Sequence, residues 1–436
     1  MNPVQSIDFA IAKSSHKEIG VLAQSLKCRN LWIIGSGLVA LMLKLLIAFN
    51  TLGTNDVVIF WGFGKMLSEH SLEWTYRQSI YFNHPPLIAH YLRLIFCLDH
   101  QAFFRAIGLT FPVLLRLPGI LADFVVLLVL LEIPKKHAEI RIPTWAFALF
   151  ALSPVSLMVS GFHGNTDPVM VMFLVLASYM CLRNGPALSG LFLALSCQIK
   201  IAPLLFVPIF FFFWHYRGIG ARFLLPFALG LLLSWSEALF TFPALFIKNV
   251  LSYSGFWGIW GITYWLRLTE LPQFKVVNFF HLPLPERVVI AILKLTIIIA
   301  VLWIAWRRRT LSSKRLFDSL AYVWIIFFVF SPAVCAQYMV WLAPFVLVLS
   351  PVFYGWLAAS SSLFLFFFYD VTAGGLPWYF AMSTNKLNAG WTPWSLWPWA
   401  TLLIGLIVFW KRGLAVNSTA QRANHNNKNK IPGWQP

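Results

Sequence analysis

The residues of this sequence that can do chemistry are few, and they come in clusters. Asp56 stands in "TNDVVIFWGFGKM", just after a long apolar run, and His84 stands in "YFNHPPL". Arg116 and Asp123 share "RLPGILAD"; on a helix, that separation is about two turns, or roughly 10 Å along one face. "SGFHGNTDPVMV" holds His163, Asn165 and Asp167, "CQIKIAPL" holds Lys200, and "FSPAVCAQYMVW" holds Gln337 and Tyr338. A carboxylate in such a set can act as a general base. Arginine and lysine can neutralise the charge on a departing phosphate.

The elements that must bring these clusters together are membrane helices. The 436 residues are 59% hydrophobic and 11% charged, where soluble domains average about 25% charged. Apolar runs of about 20 residues recur along the chain, enough for a helix to span a bilayer. They are continuous rather than alternating, which argues against a β-barrel. The fold class is therefore all-α, polytopic and membrane-embedded. The net charge of +18, from 33 Lys+Arg against 15 Asp+Glu, is explained by basic cytoplasmic loops. No basic stretch belongs to a folded soluble module, so nucleic acid is not an expected partner. Cys28, Cys97, Cys181, Cys197 and Cys335 have neither CxxC nor metal-ligand spacing and read as packing residues.

Charge sets the orientation. The basic loops 134–141, 215–222 and 306–315, the tail 411–436, and Lys13, Lys17, Lys27 and Arg29 are all placed in the cytoplasm. The first span, 31–50, then runs outward and 115–133 returns, which leaves 51–114 as one long outer loop. Within that loop "PPLIAHYLRLIFCL" is too short and too charged to span, and reads as an amphipathic interfacial helix. Further spans are expected near 143–160, 168–182, 187–199, 201–214, 223–242, 286–305, 316–331, 338–350, 352–370 and 395–410, several of them shorter than a comfortable crossing. That makes about twelve transmembrane helices, with both termini cytoplasmic, in a plasma membrane. The first 30 residues are polar and the first apolar run is long enough to remain an anchor, so no cleaved signal is expected. The domain reading is a cytoplasmic segment 1–30, a transmembrane domain 31–410 and a disordered cytoplasmic tail 411–436.

On this topology every cluster falls on the outer side, with Tyr264, Arg267, Glu270 and His281 in a second outer loop. Ionisable groups at membrane depth are costly, and are functional candidates by default. A cavity at the outer leaflet with acid and base together suits a substrate that is half lipid and half polar.

The order and spacing of Asn55-Asp56, "NHPPL" (83–87), "RLPGILAD" (116–123), "HGNTDP" (163–168), "QIKIAPLLFVP" (198–208) and "FSPAVCAQYMVWLAP" (330–344) resemble the GT-C superfamily of glycosyltransferases. That group holds the protein O-mannosyltransferases, the aminoarabinose transferases of lipid A and the bacterial polyprenyl-phosphate-dependent mannosyltransferases. The chain departs from the O-mannosyltransferases in having "ND" for an acidic pair and in lacking their soluble insertion. The resemblance implies transfer of a sugar, with mannose one candidate, from a polyprenyl-phosphate donor to a glycan, lipid or protein acceptor, at the outer face and with inversion. It makes Asp56 the candidate base, and Lys200 and Arg116 the candidates for the donor phosphate. His84, Asp123, His163, Asn165, Asp167, Gln337 and Tyr338 are further site candidates. No metal ligand set and no cofactor are expected, although some relatives use a divalent ion.

Each candidate has an ordinary reading beside the chemical one. Asp56 suits a helix N-cap. Asp167 before Pro168 suits a cap with proline at the first helical position. Asp123 suits an ion pair between helices, Lys200 a snorkelling anchor, and His84 a loop hydrogen-bonder. The aromatics of "GFWGIWGITYW" (255–265) suit an interfacial belt. The rival class is a multi-pass transporter or lipid flippase. Such folds show inverted repeats and midplane charges, whereas here no repeat is visible and the polar groups gather at one face.

Overall fold

The computed structural model describes residues 28–253, 255, 257–269, 271–274, 282–309, 313–373 and 389–409. Residues 1–27 of the predicted N-terminal segment, the tail 411–436, and Glu270 and His281 lie outside the described residues. Every regular element described is helical.

The first helix, α1 (Cys28–Asn50), is apolar along most of its length, with Lys44 in its second half. After a short turn come α2 (Asn55–Glu69), α3 (Leu72–Gln78), α4 (Pro86–Asp99) and α5 (Ala102–Ala106). These fill the expected outer loop. Ser71 caps α3 by accepting from Trp74 N at 3.1 Å. α4 opens on proline, whose missing N–H costs nothing there. It buries Ile88, Ala89, Leu92 and Ile95 on one face, the periodicity expected of an amphipathic helix. Asp99, at the end of α4, accepts from Phe111 N at 2.9 Å and so satisfies the first N–H of α6 (Phe111–Lys136).

The rest of the chain is α7 (Thr144–His163), α8 (Asp167–Leu182), α9 (Pro186–Ile199), α10 (Ala202–His215) and α11 (Gly220–Thr241). It continues with the short α12 (Gly261–Leu268), then α13 (Leu284–Arg307), α14 (Ser313–Phe330), α15 (Ala336–Leu349), α16 (Pro351–Ala373) and α17 (Thr392–Phe409). Helices thus occupy each of the ranges expected from the sequence. Seven of them, α1, α6, α7, α11, α13, α16 and α17, are long and apolar enough to cross a membrane.

The short helices α8, α9, α10 and α15 follow a different logic. At about 1.5 Å per residue, 14 to 16 residues reach roughly 21–24 Å, less than the hydrocarbon core. They are packed in protein: α9 lies between α8 and α11. Leu174, Leu193, Ala194 and Phe210 are fully buried. Interrupted helices are tolerated at membrane depth where protein or a cavity surrounds them. The long helices α1, α11 and α13 instead leave Leu46, Leu233 and Ile299 exposed on apolar outer faces. α7 ends (at His163), α8 begins (at Asp167), α9 stops before Lys200 and α15 begins next to Gln337, all at one end of the bundle. The C-terminal ends of α6, α10 and α13, which lead into the basic loops, lie at the other end.

Candidate active site

Two turns dock to make the site. Between α1 and α2, Thr54 donates to the His163 carbonyl from both its N–H (3.3 Å) and its hydroxyl (2.8 Å). The close approach depends on two glycines with positive φ. A Cβ on Gly53 (φ 99°) would meet Val57 Cγ2 at 2.7 Å and the Phe162 carbonyl at 2.8 Å. A Cβ on Gly164 (φ 82°) would strike Val57 Cγ2. Both positions favour glycine on conformation as well as space.

Thr54, not Asp56, is the N-cap of α2: its side chain accepts from Asp56 N at 3.4 Å. The Asp56 carboxylate, on the first turn, points at three other elements. Its Oδ2 lies 2.9 Å from His163 Nε2 at the end of α7, and accepts from Gln337 Nε2 of α15 at 3.3 Å. His163 Nδ1 lies 2.9 Å from the Tyr369 hydroxyl of α16. His163 is buried, whereas the Asp56 side chain keeps 33% of its surface. Burial pushes the Asp56 carboxyl up. The charge and hydrogen bond of His163 act against this, aided by Lys200 and His84, and the net direction is below the ordinary carboxylate value. Burial, reinforced by Lys200, pushes the His84 imidazole down to about 3, so it is neutral at physiological pH.

A second buried cluster lies beside the first. Asp167, fully buried, holds Lys200 Nζ at 2.9 Å and accepts from Trp341 Nε1 at 2.6 Å. Its own N–H donates to Asn165 Oδ1 at 3.1 Å, which gives Asn165 its place as a turn former. The Lys200 ammonium also lies 4.6 Å from the Tyr338 ring centroid, and Tyr338 stacks on Trp341. So Lys200 is held from two sides and aimed, rather than snorkelling.

Lys200, His84 and Tyr338 line a cavity of about 390 Å³. Asn83, Tyr253 and Lys294 add polar groups, while Leu204, Leu205, Val250, Ile297, Ile298 and Phe327 make much of the wall apolar. Lys294 of α13 donates to the carbonyls of Tyr253 (3.3 Å) and Ser252 (3.5 Å). It was not singled out in the sequence, because it sits inside a continuous apolar run.

Of the sequence candidates only His84, Lys200 and Tyr338 line the cavity; Asp56, His163, Asn165, Asp167 and Gln337 stand behind them in the two clusters, and Arg116 and Asp123 belong to neither cluster. Arg116 is fully buried. It donates to the Ala48 and Thr51 carbonyls at the end of α1, to the Thr51 hydroxyl, to the Gly161 and Phe162 carbonyls of α7, and to Pro112 O on its own helix. It satisfies the carbonyls left over at two helix ends, and no phosphate is needed to explain its charge. Asp123 meets Lys44 of α1 at 2.6 Å and accepts from Ser156 (2.7 Å) and Ser160 (2.5 Å) of α7. This is the inter-helix ion pair anticipated as its ordinary reading, with a lysine not singled out in the sequence. Among the described residues no group of three His, Cys, Asp or Glu side chains is placed to hold a metal ion.

Residues 102–332 match the model of glycosyltransferase family 87, a stretch longer than half of the chain. It contains Arg116, Asp123, His163, Asn165, Asp167 and Lys200, and leaves Asp56, His84, Gln337, Tyr338 and Tyr369 outside. No curated protein matches the chain significantly.

Proposed function

This chain belongs to glycosyltransferase family 87 and is a membrane glycosyltransferase, and from that premise we propose that it moves a sugar from a polyprenyl-phosphate donor to an acceptor hydroxyl, with inversion. The observation that carries this reading is the pairing of an aimed carboxylate with a half-apolar, half-cationic cavity. Lys200 and His84 line the cavity and act electrostatically on Asp56, which is not itself a lining residue, so these two side chains connect the acid to the cavity's polar end. The apolar wall suits a prenyl chain, and Lys200 with Lys294 suits its single phosphate. Lys294 takes the place that the sequence reading gave to Arg116. Asp56 accepts the proton of the attacking hydroxyl, and the growing charge on the leaving phosphate is met by fixed cations. One departing phosphate needs no metal ion for this.

The same reading assigns about twelve spans, counting the short buried helices, with Lys135, Arg222 and Arg308 cytoplasmic and the site on the outer face of a plasma membrane. A cysteine placed at 308 should resist an impermeant thiol reagent in intact cells, and one placed at 70 should react; the reverse pattern would overturn the orientation. The activity itself is tested with purified protein and a panel of labelled polyprenyl-phosphate sugars, mannose first. Transfer from at least one of them, lost in Asp56→Asn and insensitive to chelator, is the expected result. Transfer from a nucleotide sugar instead would sink the donor assignment.

A further inference from the structure

The Asp56 carboxylate is engaged on one side only. His163 Nε2 and Gln337 Nε2 both reach Oδ2, at 2.9 and 3.3 Å. Among the described residues no hydrogen bond engages Oδ1. The far side of the imidazole meets the Tyr369 hydroxyl at 2.9 Å. Tyr369 is fully buried, and a buried phenol needs a partner for its single proton. His163 Nδ1 is that partner among the described residues. A ring nitrogen that accepts leaves the proton on the other nitrogen.

We propose that Tyr369 and His163 position the base: the phenol donates to Nδ1, fixing His163 as the Nε2–H tautomer, and His163 with Gln337 occupies Oδ2, which leaves Oδ1 of Asp56 to take the acceptor's proton. The proposal rests on the reading of Asp56 as general base and says which atom acts and what aims it. In the step, the acceptor oxygen forms a bond to the anomeric carbon while its proton passes to Oδ1. The bond from that carbon to the phosphate oxygen breaks, and its electron pair leaves with the prenyl phosphate. The proton on Oδ1 is released to water before the next turnover. Tyr369 and His163 touch neither substrate in this scheme; they act through Asp56.

A positioning role differs from a packing role in its pH signature. The groups acting on Asp56 or acted on by it are His163, Lys200, His84, Tyr253, Cys335 and Tyr369. Of these His163 is the one that donates directly to the carboxylate, and its donation favours the ionised form. Removing it raises the carboxyl, so the acid limb of kcat/KM moves to higher pH.

The experiment compares Asp56→Asn, His163→Leu, His163→Gln and Tyr369→Phe in transfer from a labelled polyprenyl-phosphate sugar, with folded yield measured by gel filtration. Tyr369→Phe keeps the ring that packs edge-on to Phe162 at 5.4 Å. It should lower kcat about tenfold, the worth of one orienting hydrogen bond, at unchanged donor KM, and move the acid limb upward. His163→Leu should lose more, about a hundredfold, with a larger shift. His163→Gln should recover part of the loss, since its amide can donate where Nε2–H did. An acid limb unmoved in both Tyr369→Phe and His163→Leu, with no recovery by glutamine, would overturn the positioning role even if Asp56→Asn is inactive. Wild-type transfer by Asp56→Asn would instead remove the base itself, and the proposal with it.

Discussion

Asp56 and Asp123 both meet side chains of α7, and their surroundings differ in kind. Asp123 is met by a lysine and two serines, all on one oxygen, at 2.5 to 2.7 Å. Its cation is supplied by the fold, and the voids beside it, of about 30 and 10 Å³, have room for little more than a water each. Asp56 is met by an imidazole and an amide, while the nearest lysine that acts on it is bonded to Asp167 instead. Two groups that act on it, Lys200 and His84, line a cavity of about 390 Å³. A carboxylate neutralised by its own lysine holds helices together. One steadied by an imidazole and an amide, with the lysine that acts on it bonded to another carboxylate, keeps its basicity for a substrate.

The largest effect that separates the two should come from Asp56→Asn, which keeps shape and hydrogen bonding but removes the basicity. Turnover should fall by about 10²–10⁴-fold with folded yield nearly intact. The equivalent change at Asp123 should cost folded yield and leave the turnover of the folded fraction within about twofold. If the two variants behave alike, the contrast is false.

A smaller loss is expected at the lysines. Lys200→Met should lower kcat/KM for the lipid donor about 10–100-fold, because charge on the leaving phosphate grows in the transition state. Arg116→Gln should leave donor kinetics unaltered and lower the thermal midpoint, since it uncaps two helix ends. Raised donor KM in Arg116→Gln would return Arg116 to the phosphate.

The pH profile sharpens the comparison further. His163 holds the Asp56 carboxyl below its ordinary value, so the base is ionised above that value and lost only as pH falls through it. His84, pushed down to about 3, contributes no limb near neutrality. The rate should therefore stay level on the acid side until well below pH 6, where an ordinary histidine would already have titrated. A limb near pH 6.5 would contradict both assignments.

An effect on turnover as small as that of Arg116→Gln is expected from Lys44→Met. Breaking the buried pair should destabilise the protein by about 3–5 kcal/mol. Lys44→Met with Asp123→Leu should recover much of that, because replacing a whole buried pair with apolar groups is often neutral. Thermal unfolding in detergent reads both.

Much of this architecture was legible in the sequence. Apolar runs gave the helices, and the polar turns gave Asp56, His163, Asp167, Lys200 and Gln337 as neighbours, because alternating spans send alternate turns to the same side. What stayed hidden were partners that no local pattern links. Tyr369 lies 206 positions from His163, and Lys44 lies 79 from Asp123. Each sits in an apolar run whose hydropathy it scarcely alters. Arg116 shows the opposite failure. An arginine at the outer end of a span looks like an anion ligand until the carbonyls of two other helix ends are seen around it.

The last stretch of α7, Leu157–His163, is wound as a π turn. Ser160 reaches Asp123, the Gly161 and Phe162 carbonyls receive Arg116, and His163 serves Asp56 through its ring and Thr54 through its carbonyl. Structural clamp and chemical site are thus written on consecutive residues. A lineage that lost one residue here would regain the tighter α winding and change the angles between the side chains on this turn. Ser160 and His163 could not both stay in register with their carboxylates. Mutational drift in this stretch is therefore constrained to substitution, and insertions or deletions should be tolerated on the far side of the bundle long before they are tolerated here.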